Sequence, residues 1–72
     1  METTETISIV VNGEAKQVQG LTSVVQLLQV LGLPAGRVAV ERNLQILARS
    51  EWGATQVVAG DRYEIVQFVG GG

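Results

Sequence analysis

The stretch "VNGEAKQVQGLTSVVQLLQVLGLP" (Val11–Pro34) decides the fold. Asn12-Gly13 sits between two extended runs. Both central residues of a type I′ turn need positive φ, so Asn-Gly in this position predicts a tight hairpin. Upstream, "TISIVV" alternates Ile7, Ile9 and Val11 with Thr6, Ser8 and Val10, the period of a half-buried strand. Downstream, "AKQVQ" (Ala15–Gln19) is the short return strand. The stretch then changes period. Val24, Leu27, Leu28 and Leu31 recur at i, i+3, i+4 and i+7, with Gln26 and Gln29 on the opposite face. Thr22 or Ser23 supplies the N-cap oxygen. Gly32 suits the left-handed position after the last turn, and Pro34 prevents continuation. A hairpin followed directly by an amphipathic helix points to a sheet with a helix packed across it.

The remaining chain returns to extended periodicity. "RVAVERN" (Arg37–Asn43) reads as a strand with Val38 and Val40 on one face. A short strand follows at Gln45–Leu47, then an irregular or helical turn at Arg49–Trp52, with Trp52 expected to pack over an edge of the core. Gly60-Asp61 marks a turn before the last strand, Arg62–Val69. This order predicts an α+β fold: a mixed sheet of about five strands with one main helix on one face. It also predicts a single domain over residues 1–72, with residues 70–72 as a flexible C-terminal tail.

Composition narrows the function. The 72 residues include 46% hydrophobic ones, enough for one compact core, and carry a net charge of −2. The acidic balance argues against nucleic acid and against an anionic membrane surface as partners. "METTET" lacks the basic and apolar regions of a secretory signal, and nothing approaches the run of about 18 apolar residues of a membrane span. The expected location is cytoplasmic. Cysteine and histidine are both absent, which removes disulfides, thiol nucleophiles, the imidazole base and the commonest metal ligand. The carboxylates Glu2, Glu5, Glu14, Glu41, Glu51, Asp61 and Glu64 read as solvated surface charge. No catalytic side chain, no metal site and no bound cofactor are expected.

One chemical group stands out. The sequence closes with "VQFVGGG" (Val66–Gly72), three glycines directly after an apolar strand. Glycine lacks Cβ, so such an arm enters a narrow channel without steric clash. Three residues extend about 10 Å at most. The group delivered there is the α-carboxylate of Gly72, which an ATP-dependent enzyme can activate as an acyl-adenylate.

With these elements in place, the chain resembles the ubiquitin-like β-grasp sulfur carriers, and among them the ThiS family of thiamine-thiazole biosynthesis. The resemblance rests on "VNGE" (Val11–Glu14), "LLQVLGL" (Leu27–Leu33), "VAVERN" (Val38–Asn43), "RSEW" (Arg49–Trp52), "GDRYEIV" (Gly60–Val66) and "VGGG" (Val69–Gly72). It implies a protein co-substrate rather than an enzyme. An E1-like adenylating enzyme would use ATP to activate Gly72, the site of covalent attachment, with Gly70 and Gly71 as its arm. A cysteine desulfurase or rhodanese would supply sulfur to make a thiocarboxylate, and thiazole synthase would take that sulfur. Two positions depart from the family pattern. Leu44 stands where the family often has a turn glycine, so the turn is expected to be of another type or longer, because leucine avoids positive φ. Ala48 stands where proline is common.

By the same resemblance, Tyr63 and Ile65 face the helix, while Val66 and Phe68 lie on the open sheet face beside Val10. These three are the candidate partner interface. Other readings stay open: the small subunit of molybdopterin synthase, a ubiquitin-like protein modifier, or a β-grasp interaction module with an incidental tail.

Overall fold

The computed structural model describes residues 5–68. Five strands and one helix follow one another as β1 (Thr6–Val11), β2 (Glu14–Gln19), α1 (Val24–Val30), β3 (Val38–Arg42), β4 (Gln45–Leu47) and β5 (Arg62–Gln67). Short 3₁₀ segments at Ala35–Arg37 and Arg49–Ala54 link them. The sheet order is β2-β1-β5-β3-β4. Only β1 and β5 run parallel, and the β1–β2, β3–β4 and β3–β5 pairs are antiparallel. The last strand therefore lies at the centre of a mixed sheet.

The hairpin forms as its turn residues require. Val11 pairs with Glu14, leaving Asn12 and Gly13 as a two-residue loop with φ of +50° and +83°. Helix α1 starts at a capping box. The Ser23 hydroxyl accepts from the Gln26 backbone N–H, and the Gln26 side chain accepts from the Ser23 N–H. Thr22, the other cap candidate, instead donates its hydroxyl to the Gln19 carbonyl. The helix ends at Val30 with Leu31 as its C-cap, and Gly32 sits just beyond at φ +73°.

Burial follows the alternation and the helical stripe. Ile9 and Val11 of β1, Val38 and Val40 of β3, and Tyr63 and Ile65 of β5 face α1, whose Val24, Leu27 and Leu28 are fully enclosed. Each such aliphatic side chain contributes roughly 1.5–3 kcal/mol by leaving water. Backbone bonds tie the helix start to the long connection before β5: Val24 N–H to the Thr55 carbonyl (3.0 Å) and Val57 N–H to the Thr22 carbonyl (2.7 Å). Trp52 is a core residue rather than a cover at the core's edge. Its indole N–H donates to the Leu47 carbonyl at 3.0 Å, which lets the ring be buried with its polar atom satisfied.

The structure corrects the expectation for the β3–β4 turn. Arg42 pairs with Gln45, so the loop is only two residues, Asn43 and Leu44, with φ of +52° and +72°. Leu44 adopts the left-handed conformation despite its side chain. The reason is register. A two-residue antiparallel loop whose strands keep their right-handed twist must be of the primed kind. Asn43 holds it there, donating its N–H to the Arg62 carbonyl (2.8 Å) and accepting from the Arg62 N–H through Oδ1 (2.9 Å).

Candidate functional site

The central strand β5 carries the chain to the last described residue, Phe68. Gln67 pairs with Val38, and the next N–H, that of Phe68, donates to the Arg37 carbonyl at 2.7 Å. The end of β5 is thus held up to Phe68 by pairing with Val38 and a main-chain bond to Arg37. The last strand ends at Gln67, two residues earlier than its apolar pattern suggests. The proposed attachment residue Gly72 and its arm, Gly70 and Gly71, lie outside the described residues, as does Val69.

On the helix-free face, strand parity brings Val66 beside Ala39, and Glu64 beside Glu41. Glu41 also pairs with Ile46 of the edge strand. Val66 is 60% exposed, Phe68 53% and Ile46 82%. A groove of about 340 Å³ is lined by Ala39, Val40, Glu41, Ile46, Glu64 and Val66. A second, of about 390 Å³, shares Ala39, Val40 and Ile46 with it and reaches Arg49, Trp52 and Phe68. The two form one apolar track from the Glu41–Glu64 pair to the point where the chain leaves the sheet. The Arg49 guanidinium lies 5.5 Å from the centre of the Trp52 ring, placing a cation beside the exit end of that track.

Val10 has the open-face parity but is not part of this track. It pairs with Arg62 in β5 and Ala15 in β2, and it is half-buried. Its partner Arg62 lies four residue steps from Val66 in β5, about 13 Å along the strand. The pairing register, not visible in the sequence, sets that separation. Ile46, by contrast, belongs to the track and escaped the sequence reading. Its signal was its place in a three-residue edge strand, one residue out of phase with inward-facing Leu47.

At the other end of β5 lies a polar knot. Asp61 is only 5% exposed, so it is not the solvated surface charge its residue type suggested. Its Oδ2 accepts from the Val58 N–H (2.9 Å), Tyr63 hydroxyl (2.9 Å) and Arg42 Nε (3.1 Å), and its Oδ1 from Asn43 Nδ2 (3.1 Å). Burial alone would raise its pKa. The bonds from Val58, Asn43 and Tyr63 and the Arg42 charge outweigh that and hold the carboxyl below its ordinary value. The Tyr63 hydroxyl is pushed up to about 12, first by burial and then by donating to Asp61. A signal was available, because Asp61 shares parity with inward-facing Tyr63 and Ile65. The knot clamps the β3–β4 turn to the start of β5 and leaves its carboxylate engaged within the fold. Among the described residues no group of three or more His, Cys, Asp or Glu side chains could hold a metal ion. No helix among them is long and apolar enough to cross a membrane.

A five-stranded mixed sheet of this order with one helix across it defines a ubiquitin-like β-grasp domain, here with an apolar track on its open face. The chain belongs to the ThiS family, whose family model matches residues 9–72. It is similar to the crystal structure of the thiamine biosynthesis protein ThiS from Geobacter metallireducens, at 38% identity and a TM-score of 0.78, covering 92% of this chain and 100% of that one. The solution structure of a thiamine biosynthesis protein from the same organism matches at 38% identity and a TM-score of 0.75, over 92% of this chain and 88% of that one. Two curated relatives are named thiazole synthase. That of Paramagnetospirillum magneticum is 42% identical over 66 residues, and that of Magnetococcus marinus 38% over 66. In each case the match covers 92% of this chain and 20% of the relative, so the chain spans about a fifth of their length.

Proposed function

We propose that this chain is a sulfur carrier for the thiazole moiety of thiamine, with the α-carboxylate of Gly72 as its working group. The observation that carries the reading is the family match, which runs through the three glycines to residue 72. The similarity to thiamine biosynthesis proteins and thiazole synthases supports the pathway.

The chemistry belongs mostly to other proteins. A carboxylate is a poor electrophile. An E1-like enzyme holding ATP joins the Gly72 carboxylate oxygen to the α-phosphorus, and pyrophosphate leaves. The terminal sulfur of a persulfide on a cysteine desulfurase or rhodanese-type donor attacks the acyl carbon and AMP leaves. A thiol reductant then cleaves the S–S bond of the resulting acyl disulfide, releasing the thiocarboxylate and forming a disulfide with the donor cysteine. Thiazole synthase takes the sulfur, and the carboxylate is regenerated. This chain contributes presentation. The sheet anchors Phe68, the glycines give a thin arm that fits a narrow channel, and the open face around Val66 and Phe68 docks the enzymes. It supplies no catalytic side chain and binds no cofactor.

Genetic complementation tests the pathway. The wild-type chain should restore growth of a carrier-deficient strain without added thiazole, and a chain lacking Gly72 should not, while retaining the same unfolding midpoint. Restoration of molybdoenzyme activity instead would assign the chain to the molybdenum cofactor. Equal rescue by the chain lacking Gly72 would remove the tail from the mechanism.

A further inference from the structure

The open-face groove carries a charge arrangement that the fold itself does not use. Glu41 and Glu64 are direct cross-strand partners, so their Cβ atoms are about 5 Å apart on the same face. Like charges so placed destabilise a sheet. The ion pairs among the described residues are Lys16–Glu14 and Arg42–Asp61, and neither involves this pair. Arg62, on the same face of β5, makes no ion pair with either. Beside the two carboxylates lie the apolar side chains of Ala39, Ile46 and Val66, so the groove has an apolar floor and a doubly acidic end.

We infer that this groove receives an apolar side chain of thiazole synthase flanked by an arginine or lysine, whose cationic head sits between Glu41 and Glu64. The inference rests on the sulfur-carrier reading and names the chemistry of its docking face. Charge selects the occupant. Two copies of this chain meeting face to face would bring four carboxylates together, which disfavours self-association. A cation from a partner removes the repulsion and gains two charge-assisted bonds. The apolar floor then covers the stem or neighbour of that side chain. Such a pair at the groove's end fixes orientation, which matters for a carrier whose arm must enter a channel.

The test is a binding titration of the full 72-residue chain against thiazole synthase from the same organism, over a range of salt concentrations. The double variant Glu41→Gln/Glu64→Gln is compared with Glu5→Gln/Glu51→Gln, which removes the same charge from elsewhere. The expected result is about tenfold weaker binding for the first pair at low salt, with the gap narrowing as salt rises. Its unfolding midpoint should be unchanged or higher, since a repulsion has been removed. The second pair should bind within twofold of wild type. Binding within twofold for both variants would overturn the inference while leaving the carrier reading intact. Absence of binding by the wild-type chain would overturn thiazole synthase as the partner, and the inference with it.

Discussion

The side chain of Asn12 pairs with the main chain of Ile65, 53 residues away, as another strand residue would: Oδ1 accepts from the Ile65 N–H at 2.8 Å and Nδ2 donates to the Ile65 carbonyl at 3.1 Å. β1 ends at Val11, and β5 continues beyond it. Asn12 therefore has two roles. It takes the positive φ of the hairpin turn and satisfies the backbone of the central strand where β1 has run out. Asn12→Ala should lower stability by about 2–3 kcal/mol, from two lost hydrogen bonds and a Cβ in the left-handed region without compensation. Asn12→Gly should recover the backbone part and cost about 1–2 kcal/mol. Urea unfolding of both variants checks the order. Equal losses would mean that the turn conformation contributes nothing.

Leu44 is 89% exposed and held at φ +72°. The left-handed conformation costs about 1–2 kcal/mol for a residue with a Cβ. Glycine removes that strain but loses about 0.5–1 kcal/mol to its greater freedom in the unfolded chain. Leu44→Gly should therefore raise stability by about 0.5–1 kcal/mol, read as a higher urea midpoint with unchanged slope.

Ala48 has φ −63° and ψ 142° and precedes the 3₁₀ segment Arg49–Ala54. Proline takes that φ without strain, and the preceding Leu47 is in a strand, as a residue before proline prefers. Ala48→Pro should stabilise the domain by about 0.4–1 kcal/mol through the unfolded chain. A thermal melt showing a lower midpoint would mean that the Ala48 N–H has a structural role.

The buried knot sets two pH limits. The Asp61 carboxyl is held below its ordinary value of 3.8, so the folded state binds its proton less tightly than the unfolded state. Its contribution is present above pH 3.8 and is lost as pH falls through the folded value. Tyr63 is raised from 10.0 to about 12, so its contribution is complete below pH 10 and is lost as pH rises through 12. Unfolding midpoints measured across this range should fall at both ends. Asp61→Asn should cost about 3 kcal/mol at neutral pH, because it leaves Arg42 beside a neutral side chain, and should flatten the acid limb.

The parts of this fold legible from sequence were those written in local chemistry. Asn12-Gly13 specifies a hairpin by itself, and Ser23 with Val24, Leu27 and Leu28 specifies a capped helix with one buried face. What could not be read depended on partners distant in sequence. Asp61 is buried because Arg42 and Asn43, 19 and 18 positions away, reach it. Val10 and Val66 share a face, but only the β1–β5 register shows that they are not neighbours. Leu44 misled in the opposite direction. Local preference argued against a tight turn, and the pairing of Arg42 with Gln45 overrode it. The proposed Gly72 site lies outside the described residues and rests on a run of glycine after an apolar strand, not on packing.

The proposed sulfur-carrier chemistry turns on the Gly72 carboxylate. The most direct measurement is intact mass of the purified chain after incubation with ATP, the E1-like enzyme and a sulfur donor, with fragmentation to locate any change. One oxygen should be replaced by sulfur, confined to the C-terminal glycine and dependent on ATP. An unchanged mass under conditions that charge a proven carrier, or sulfur located anywhere else in the chain, would contradict that chemistry.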